Sequence, residues 1–294
     1  MRVTQPFGLA QGREPVERQM GVFRQPQKIM TRFVVFTDLD GTLLDHHTYA
    51  YVDALPALSK LRQTQTPLIM VSSKTRREIE ALRSELENDH PFIPENGGAI
   101  FVPKGYDLPL PDEAVEAGDY HVLVLGRRNE ELAAAFDRLA RVVAVRALSR
   151  LSSEEVADLT GLTMAQAEAA REREFGEAFI VDDPEIKESV LRNEVHKLGL
   201  RLTQGGRFWH LLGENDKGRA VTLLSRLFRQ RHPDIVTAAC GDAPNDEPML
   251  AAVDRPFLVA RPEGGHRPID IPRLAKTDLP GPAGFSQAVL SLWD

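Results

Sequence analysis

Asp38 and Asp40 stand two residues apart in Asp38-Leu39-Asp40-Gly41-Thr42, directly after the apolar run Phe33–Phe36. A run without polar alternation reads as a strand covered on both faces, as in a parallel sheet. Ligands of such sheets bind in the crevice beyond the carboxyl ends of the strands. Two carboxylates brought together there repel each other, and a cation between them relieves the repulsion. One carboxylate can then act as a nucleophile and the other as general acid and base. A bare Asp-x-Asp is more often a solvated turn; the buried strand in front of this one favours chemistry.

The chain supplies partners for that chemistry. The run Leu68–Val71 ends in Ser72. Its hydroxyl can hydrogen-bond a phosphate oxygen or cap the helix that follows Ser73, and a helix N-terminus itself favours an anion. Lys217 opens a second helix in Asn215-Asp216-Lys217-Gly218-Arg219-Ala220, a placement that works against the helix dipole. A carboxylate or phosphate beside it would compensate; a plain surface lysine is the competing reading. The run Ile235–Cys240 delivers Gly241-Asp242-Ala243-Pro244-Asn245-Asp246. A turn with a helix cap accounts for Asn245 but not for two further carboxylates, Asp242 and Asp246. A phosphate dianion approaches such a cluster only if Mg²⁺ and a lysine offset its charge.

In this order the four motifs resemble those of the haloacid dehalogenase superfamily, whose members mostly transfer phosphoryl groups through an aspartyl-phosphate. The resemblance implies that Asp38 attacks phosphorus and that Asp40 protonates the leaving oxygen and later deprotonates water. Ser72 and Lys217 would hold the phosphoryl oxygens. Mg²⁺ would be bound by Asp38, the backbone carbonyl of Asp40, and Asp242, with Asp246 and Asn245 in support.

These motifs need a scaffold, and 294 residues, 42% of them hydrophobic, can bury a full core and hold two modest domains. A net charge of −7 argues against a nucleic-acid or anionic-membrane partner, so an anionic substrate must be captured locally. The single cysteine, Cys240, excludes an intramolecular disulfide and reads as an inert buried thiol. No apolar stretch approaches the ~20 residues of a membrane span. Residues 1–29 differ from the rest: five basic residues face Glu14 and Glu17, with Gln, Pro and Gly frequent and no apolar periodicity. They read as a disordered extension without a secretory signal, with Met30 the natural first residue of the domain and a cytoplasmic location by default.

Beyond Ser72, residues 74–86 carry a helix pattern. Pro91–Pro94 and Ala99–Val102 flank Glu95-Asn96-Gly97-Gly98 as two strands. Asn-Gly is a strong hairpin signal, and the same glycine would let backbone approach a ligand. Between Pro103 and Leu212 the pattern becomes strands at 120–125, 178–181, 200–203 and 208–212 with helices at 130–140, 153–159, 165–173 and 184–198. This predicts an α/β chain: a doubly wound, mainly parallel, Rossmann-like core over 30–105 and 206–294, interrupted by an α+β insert over 106–205. Between the second and third motifs, the superfamily carries a substrate-gripping cap. A last apolar helix is expected over Phe285–Trp293.

The segments Val71–Arg76, Glu95–Gly98, Arg173–Glu177, Gly205–His210 and Asp216–Ala220 are similar to those of mannosyl-3-phosphoglycerate phosphatases, in the C2B-cap branch, from about Thr31 to Asp294. Phe175 and Trp209 stand where the family pattern has tyrosine. The resemblance implies a small-molecule phosphorylated glycoside as substrate and mannosylglycerate as product. Its carboxylate suits an arginine fork, with Arg173 and Arg207 as candidates. Asn96 and Gly97 would line the site. His210 would hydrogen-bond a sugar hydroxyl, or is a satisfied strand histidine. Phosphatases of other sugar phosphates (glucosyl-3-phosphoglycerate, sucrose-phosphate), a phosphomutase and a non-catalytic sensor are the alternatives. Nothing in the sequence indicates an oligomeric state.

Overall fold

A computed structural model describes residues 32–183, 185–205 and 208–294. The expected extension, residues 1–29, lies outside the described residues. The chain opens with β1 (Arg32–Thr37), α1 (Leu55–Gln63), β2 (Leu68–Val71), α2 (Arg76–Glu85), β3 (Phe92–Ile93) and β4 (Ala99–Pro103). It continues through β5 (Val115–Ala117), β6 (Tyr120–Val124), α3 (Asn129–Leu139), β7 (Val145–Ala147), α4 (Ser153–Thr160) and α5 (Met164–Arg171). Then come β8 (Gly176–Val181), α6 (Glu188–Lys197), β9 (Arg201–Gly205) and β10 (Phe208–Leu212). It ends with α7 (Lys217–Arg231), β11 (Ile235–Gly241), α8 (Glu247–Ala251), β12 (Arg255–Ala260), β13 (Ala275–Pro280) and α9 (Gly281–Leu290).

Among the described residues these strands form two sheets. The larger has the order β13-β12-β11-β1-β2-β3-β4-β6-β5, and the smaller β7-β8-β10-β9. From β13 to β3 the pairing is parallel; β4, β6 and β5 add on antiparallel. β1 is central, and its residues alternate between two cores, which is why its sequence shows no polar face. Val35 packs with α1, α2 and α9 through Leu58, Leu61, Ile79 and Phe285. Val34 and Phe36 pack with α7 and α8 through Val221, Leu224 and Met249. Helices on both faces of a mainly parallel sheet make this the expected α/β, Rossmann-like architecture. Cys240 lies in β11 between Thr37 of β1 and Phe257 of β12 and is 1% exposed.

The smaller sheet is likewise covered twice. α3 and α6 lie on one face through Phe136 and Val195, and α4 and α5 on the other through Val156 and Ala167. The division expected at residues 106 and 205 differs from the sheets. β6 pairs with β4 in continuous register from Ala99–Val124 to Pro103–Tyr120, so β5 and β6 extend the larger sheet. β10 pairs with β8 and β9, so it belongs to the smaller one. The crossings between sheets fall near Gly126 and Gly213. Gly126 faces Asn215, and Gly213 faces Arg127.

Candidate active site

β1 ends at Thr37, and the Asp38 amide donates to the Cys240 carbonyl at 2.9 Å, tying the Asp38 loop to the end of β11. Parallel neighbours end at the same edge, so Asp38, Ser72 after β2 and Asp242 after β11 emerge together. Gly41 has φ +82, and a Cβ there would press on the Asp242 carboxylate. Thr42 Oγ1 donates to Asp242 Oδ1 at 3.0 Å. Asp246 Oδ2 accepts from the amides of Asp242 and Ala243 at 3.1 and 3.0 Å, closing the loop onto itself.

Lys217, the first residue of α7, is 1% exposed, so it is not a surface lysine. Its Nζ donates to Asp38 Oδ1 and to Asp246 Oδ1, each at 2.6 Å. Carboxylate oxygens of Asp38, Asp242 and Asp246 lie within 4.8 Å of one another. Burial, then the charge of Asp246, pushes Asp38 up to about 7 against the pull of Lys217. Burial, then Asp246 and Asp38, raises Asp242 well above the carboxylate range. Burial would lower Lys217, but Asp246 and Asp38 outweigh it and raise the ammonium above its ordinary value. Both partners of the Lys217–Asp38 pair move upward: burial and then Asp246 raise the carboxyl, and Asp246 and Asp38 together raise the ammonium. The residual negative charge and the all-oxygen donor set fit a hard divalent cation.

Asp40 does not join that trio. Its Oδ2 pairs with Lys74 Nζ at 2.9 Å, and its buried Oδ1 has no partner among the described residues. Lys74 also lies 3.8 Å from Glu78 and above the Tyr49 ring. Burial would lower Lys74, but Asp40 and then Glu78 raise it. Ser72 is 1% exposed, and its Oγ accepts from the Lys74 amide at 3.2 Å. The expected alternative of Ser72 as the helix cap does not hold. Thr75 is the N-cap of α2, in a reciprocal capping box with Glu78, because only Thr75 is followed three residues later by an acid.

The expected binding residues lie beside these groups, apart from Arg207, which falls outside the described residues. Asn96 Oδ1 accepts from Asn245 Nδ2 at 3.1 Å, while Asn96 Nδ2 has no partner among the described residues. Gly97 has φ +85, and a Cβ there would collide with the Asp216 carbonyl. Its missing side chain thus makes room for the Lys217 loop. Arg173, 3% exposed at its side chain, donates to the Ser73 carbonyl at 2.8 Å. His210 is buried, and neither ring nitrogen has a well-aligned hydrogen bond among the described residues, although Gly205 lies beside Nε2. Burial, then the charge of Arg173, lowers His210 well below the ordinary histidine range, so the ring is neutral. Asp40, Ser73, Lys74, Arg173, Gly205 and His210 line one cleft between the two sheets.

Two residues gained no role from the sequence. Lys74 sits inside the Val71–Arg76 segment, and its signal was a lysine beside a motif serine. Glu95 precedes Asn-Gly, and its signal was an acid in an otherwise apolar hairpin.

Residues 35–261 match the family of haloacid dehalogenase-like hydrolases. The chain is 41% identical over 265 residues to a glucosyl-3-phosphoglycerate/mannosyl-3-phosphoglycerate phosphatase of Methanococcoides burtonii, covering 89% of this chain and 97% of the relative. It is 35% identical over 226 residues to a mannosyl-3-phosphoglycerate phosphatase of Pyrococcus horikoshii, covering 77% and 90%. Its fold is similar to a crystal structure of a Thermoplasma acidophilum protein, with a TM-score of 0.64, 18% identity, and 90% and 97% of the two chains covered. With its acidic strand ends gathered around one buried lysine, the chain belongs to the haloacid dehalogenase-like hydrolase family, where its relatives are phosphatases, hydrolases of phosphoric monoesters.

Proposed function

We propose that the protein is a Mg²⁺-dependent phosphatase that hydrolyses mannosyl-3-phosphoglycerate to mannosylglycerate and phosphate, with the glucosyl analogue as a second substrate. The observation that carries this reading is the convergence of Asp38, Asp242, Asp246 and Lys217 at one sheet edge. The names of relatives at 35–41% identity support the substrate.

In this mechanism an Asp38 oxygen forms a bond to phosphorus as the bond from phosphorus to the ester oxygen breaks. Asp40 gives its proton to that leaving oxygen. Asp40 then takes a proton from water as the water attacks phosphorus, which breaks the Asp38–phosphorus bond and frees phosphate. The unpartnered Asp40 Oδ1 and the Lys74 contact on Oδ2 suit a group that exchanges protons on one oxygen while held by the other. Lys217 and the Ser72 hydroxyl hold phosphoryl oxygens. Asp38, Asp242, Asp246 and the backbone carbonyl of Asp40 would hold the metal. When bound, Mg²⁺ neutralises charge on the phosphoryl oxygens and on the carboxylates.

The smaller sheet and its helices serve as the cap. Asn96 and neutral His210 face sugar hydroxyls, and Arg173 or Arg207 takes the glycerate carboxylate. A substrate so charged does not cross membranes unaided, which supports a cytoplasmic location.

Phosphate release from a panel of glycosyl-phosphoglycerates, sucrose-phosphate and hexose phosphates, with Mg²⁺ or EDTA, tests the reading. Metal-dependent turnover of the glycosyl-phosphoglycerates is expected. Turnover confined to the other sugar phosphates would leave only a general phosphatase.

A further inference from the structure

Glu95 is a carboxylate that the proposed chemistry does not use, and it is completely buried. It sits in the turn between β3 and β4, where Glu95, Asn96 and Gly97 have φ of 48°, 54° and 85°. Two successive non-glycine residues in the left-handed region are strained, and such strain persists only where the surroundings over-determine it. Here they do. The Glu95 amide donates to the Lys74 carbonyl and the Asn96 amide to the Ser72 carbonyl, both at 2.9 Å. Asn215 Nδ2 donates to the Asn96 carbonyl at 3.3 Å.

The turn aims the Glu95 side chain at the segment that enters β8 of the smaller sheet. The carboxylate accepts from the amides of Glu174 and Phe175 at 2.8 and 3.1 Å. It also lies 3.6 Å from Arg173 Nε, with the two side chains 0% and 3% exposed. A second Arg173 nitrogen is fixed by the Ser73 carbonyl, and the guanidinium lines the cleft. Two backbone amides could be satisfied by any neutral acceptor. Only a charge answers a buried guanidinium, and burying such a pair is costly unless something depends on it.

We propose that Glu95 is a positioning residue: its charge holds Arg173 at a fixed place in the cleft to receive the second anionic group, a carboxylate, of a phosphorylated substrate. This rests on the proposed role of Arg173. Glu95 acts through Arg173 and touches no substrate itself. The same contact docks the loop of the larger sheet against the smaller sheet, so the receptor forms only when the two are together. Burial raises Glu95 to about 7, while Arg173 and the two amides oppose the rise. Above that pH the carboxylate is ionised.

The test uses the full chain with Mg²⁺ at pH 8. The readout is the Ki of 3-phosphoglycerate, a probe with one phosphate and one carboxylate, against hydrolysis of p-nitrophenyl phosphate, which has no carboxylate. Glu95→Gln and Arg173→Ala should each raise that Ki about 10- to 100-fold, the usual worth of a charged hydrogen bond. Each should raise it at least tenfold more than it raises KM for p-nitrophenyl phosphate. The double variant should be no worse than Arg173→Ala, because Glu95 works through the arginine. Glu95→Asp keeps the charge and should recover part of the affinity; it carries the test if Glu95→Gln does not fold. An unchanged Ki in the Glu95 variants, equal losses on both phosphates, or multiplying losses in the double variant would overturn the proposal. Wild-type turnover of mannosyl-3-phosphoglycerate is scored separately, so failure of the substrate reading is told apart from failure of this one.

Discussion

Lys217 Nζ lies 2.6 Å from Asp38 Oδ1, and the lysine side chain is wholly shielded from solvent. The same nitrogen serves Asp246, so the ammonium is the positive centre of a buried acidic trio. Replacing it by methionine keeps the volume and removes the charge. Removing one partner of a buried ion pair costs about 3–5 kcal/mol. Lys217→Met should therefore lose about that much stability in urea unfolding without metal, together with its phosphatase activity. Added Mg²⁺ should return part of the stability and not the activity. A variant with wild-type stability in EDTA would show that the carboxylates are protonated and need no cation.

Asp38→Asn and Asp40→Asn separate the two carboxylates. The first removes one of the acids crowded around Lys217 while Asp246 still pairs with it, so the melting temperature should hold or rise while turnover disappears. The second should slow turnover by about 10²–10⁴-fold, the usual worth of general acid–base catalysis. Single-turnover kinetics with the wild type should show a covalent phosphoryl-protein that Asp38→Asn never forms.

Metal binding has its own readout in stability. A ligand that binds only the folded state stabilises by about 2.7 kcal/mol at a hundred times its Kd. Mg²⁺ should raise the melting temperature of the wild type, and EDTA should reverse the rise. Asp242→Asn should flatten that response, because Asp242 joins Asp38 and Asp246 in the oxygen cluster. An undiminished Mg²⁺ response in Asp242→Asn would remove this residue from the ligand set.

The apolar runs at 33–36, 68–71 and 235–240 identified the central strands because a parallel strand buried on both faces has no polar alternation. Asp38, Ser72, Lys217 and Asp242 were legible for the same reason: each follows or faces the end of such a strand. β5, β7 and β13 were not legible. Val115–Ala117 is exposed throughout, and Ala275–Pro280 carries lysine, threonine and aspartate at an edge, so neither has the hydrophobic signature of a strand. Pairing, not composition, makes them strands. The contacts of Lys74 with Asp40 and of Arg173 with Glu95 are tertiary, between residues far apart in the chain, and no local pattern encodes them.

Stability should also depend on pH through Glu95. Burial, opposed by Arg173 and two amides and reinforced by Glu174, raises its carboxyl from 4.5 to about 7. Between those values the folded protein retains a proton that the unfolded chain has released, so stability falls as pH rises from 4.5 to 7 and levels off above. Glu95→Gln has no such proton. The stability of the wild type relative to Glu95→Gln should therefore decline across that window in urea titrations. A constant difference would mean that Arg173 keeps Glu95 ionised throughout.

Cys240 lies in β11, beside the strand that leads to Asp38 and inside the larger sheet. Burial raises its thiol well above the ordinary cysteine range, so little of it is thiolate and none of it is presented to reagents. A thiol reagent can reach it only when β11 separates from β1 or β12, and the chain has no second cysteine to confuse the signal. The rate of alkylation is then a clock for opening of the central sheet that needs no engineered probe site. It would read stability in cells or lysates, where spectroscopic melting cannot be followed.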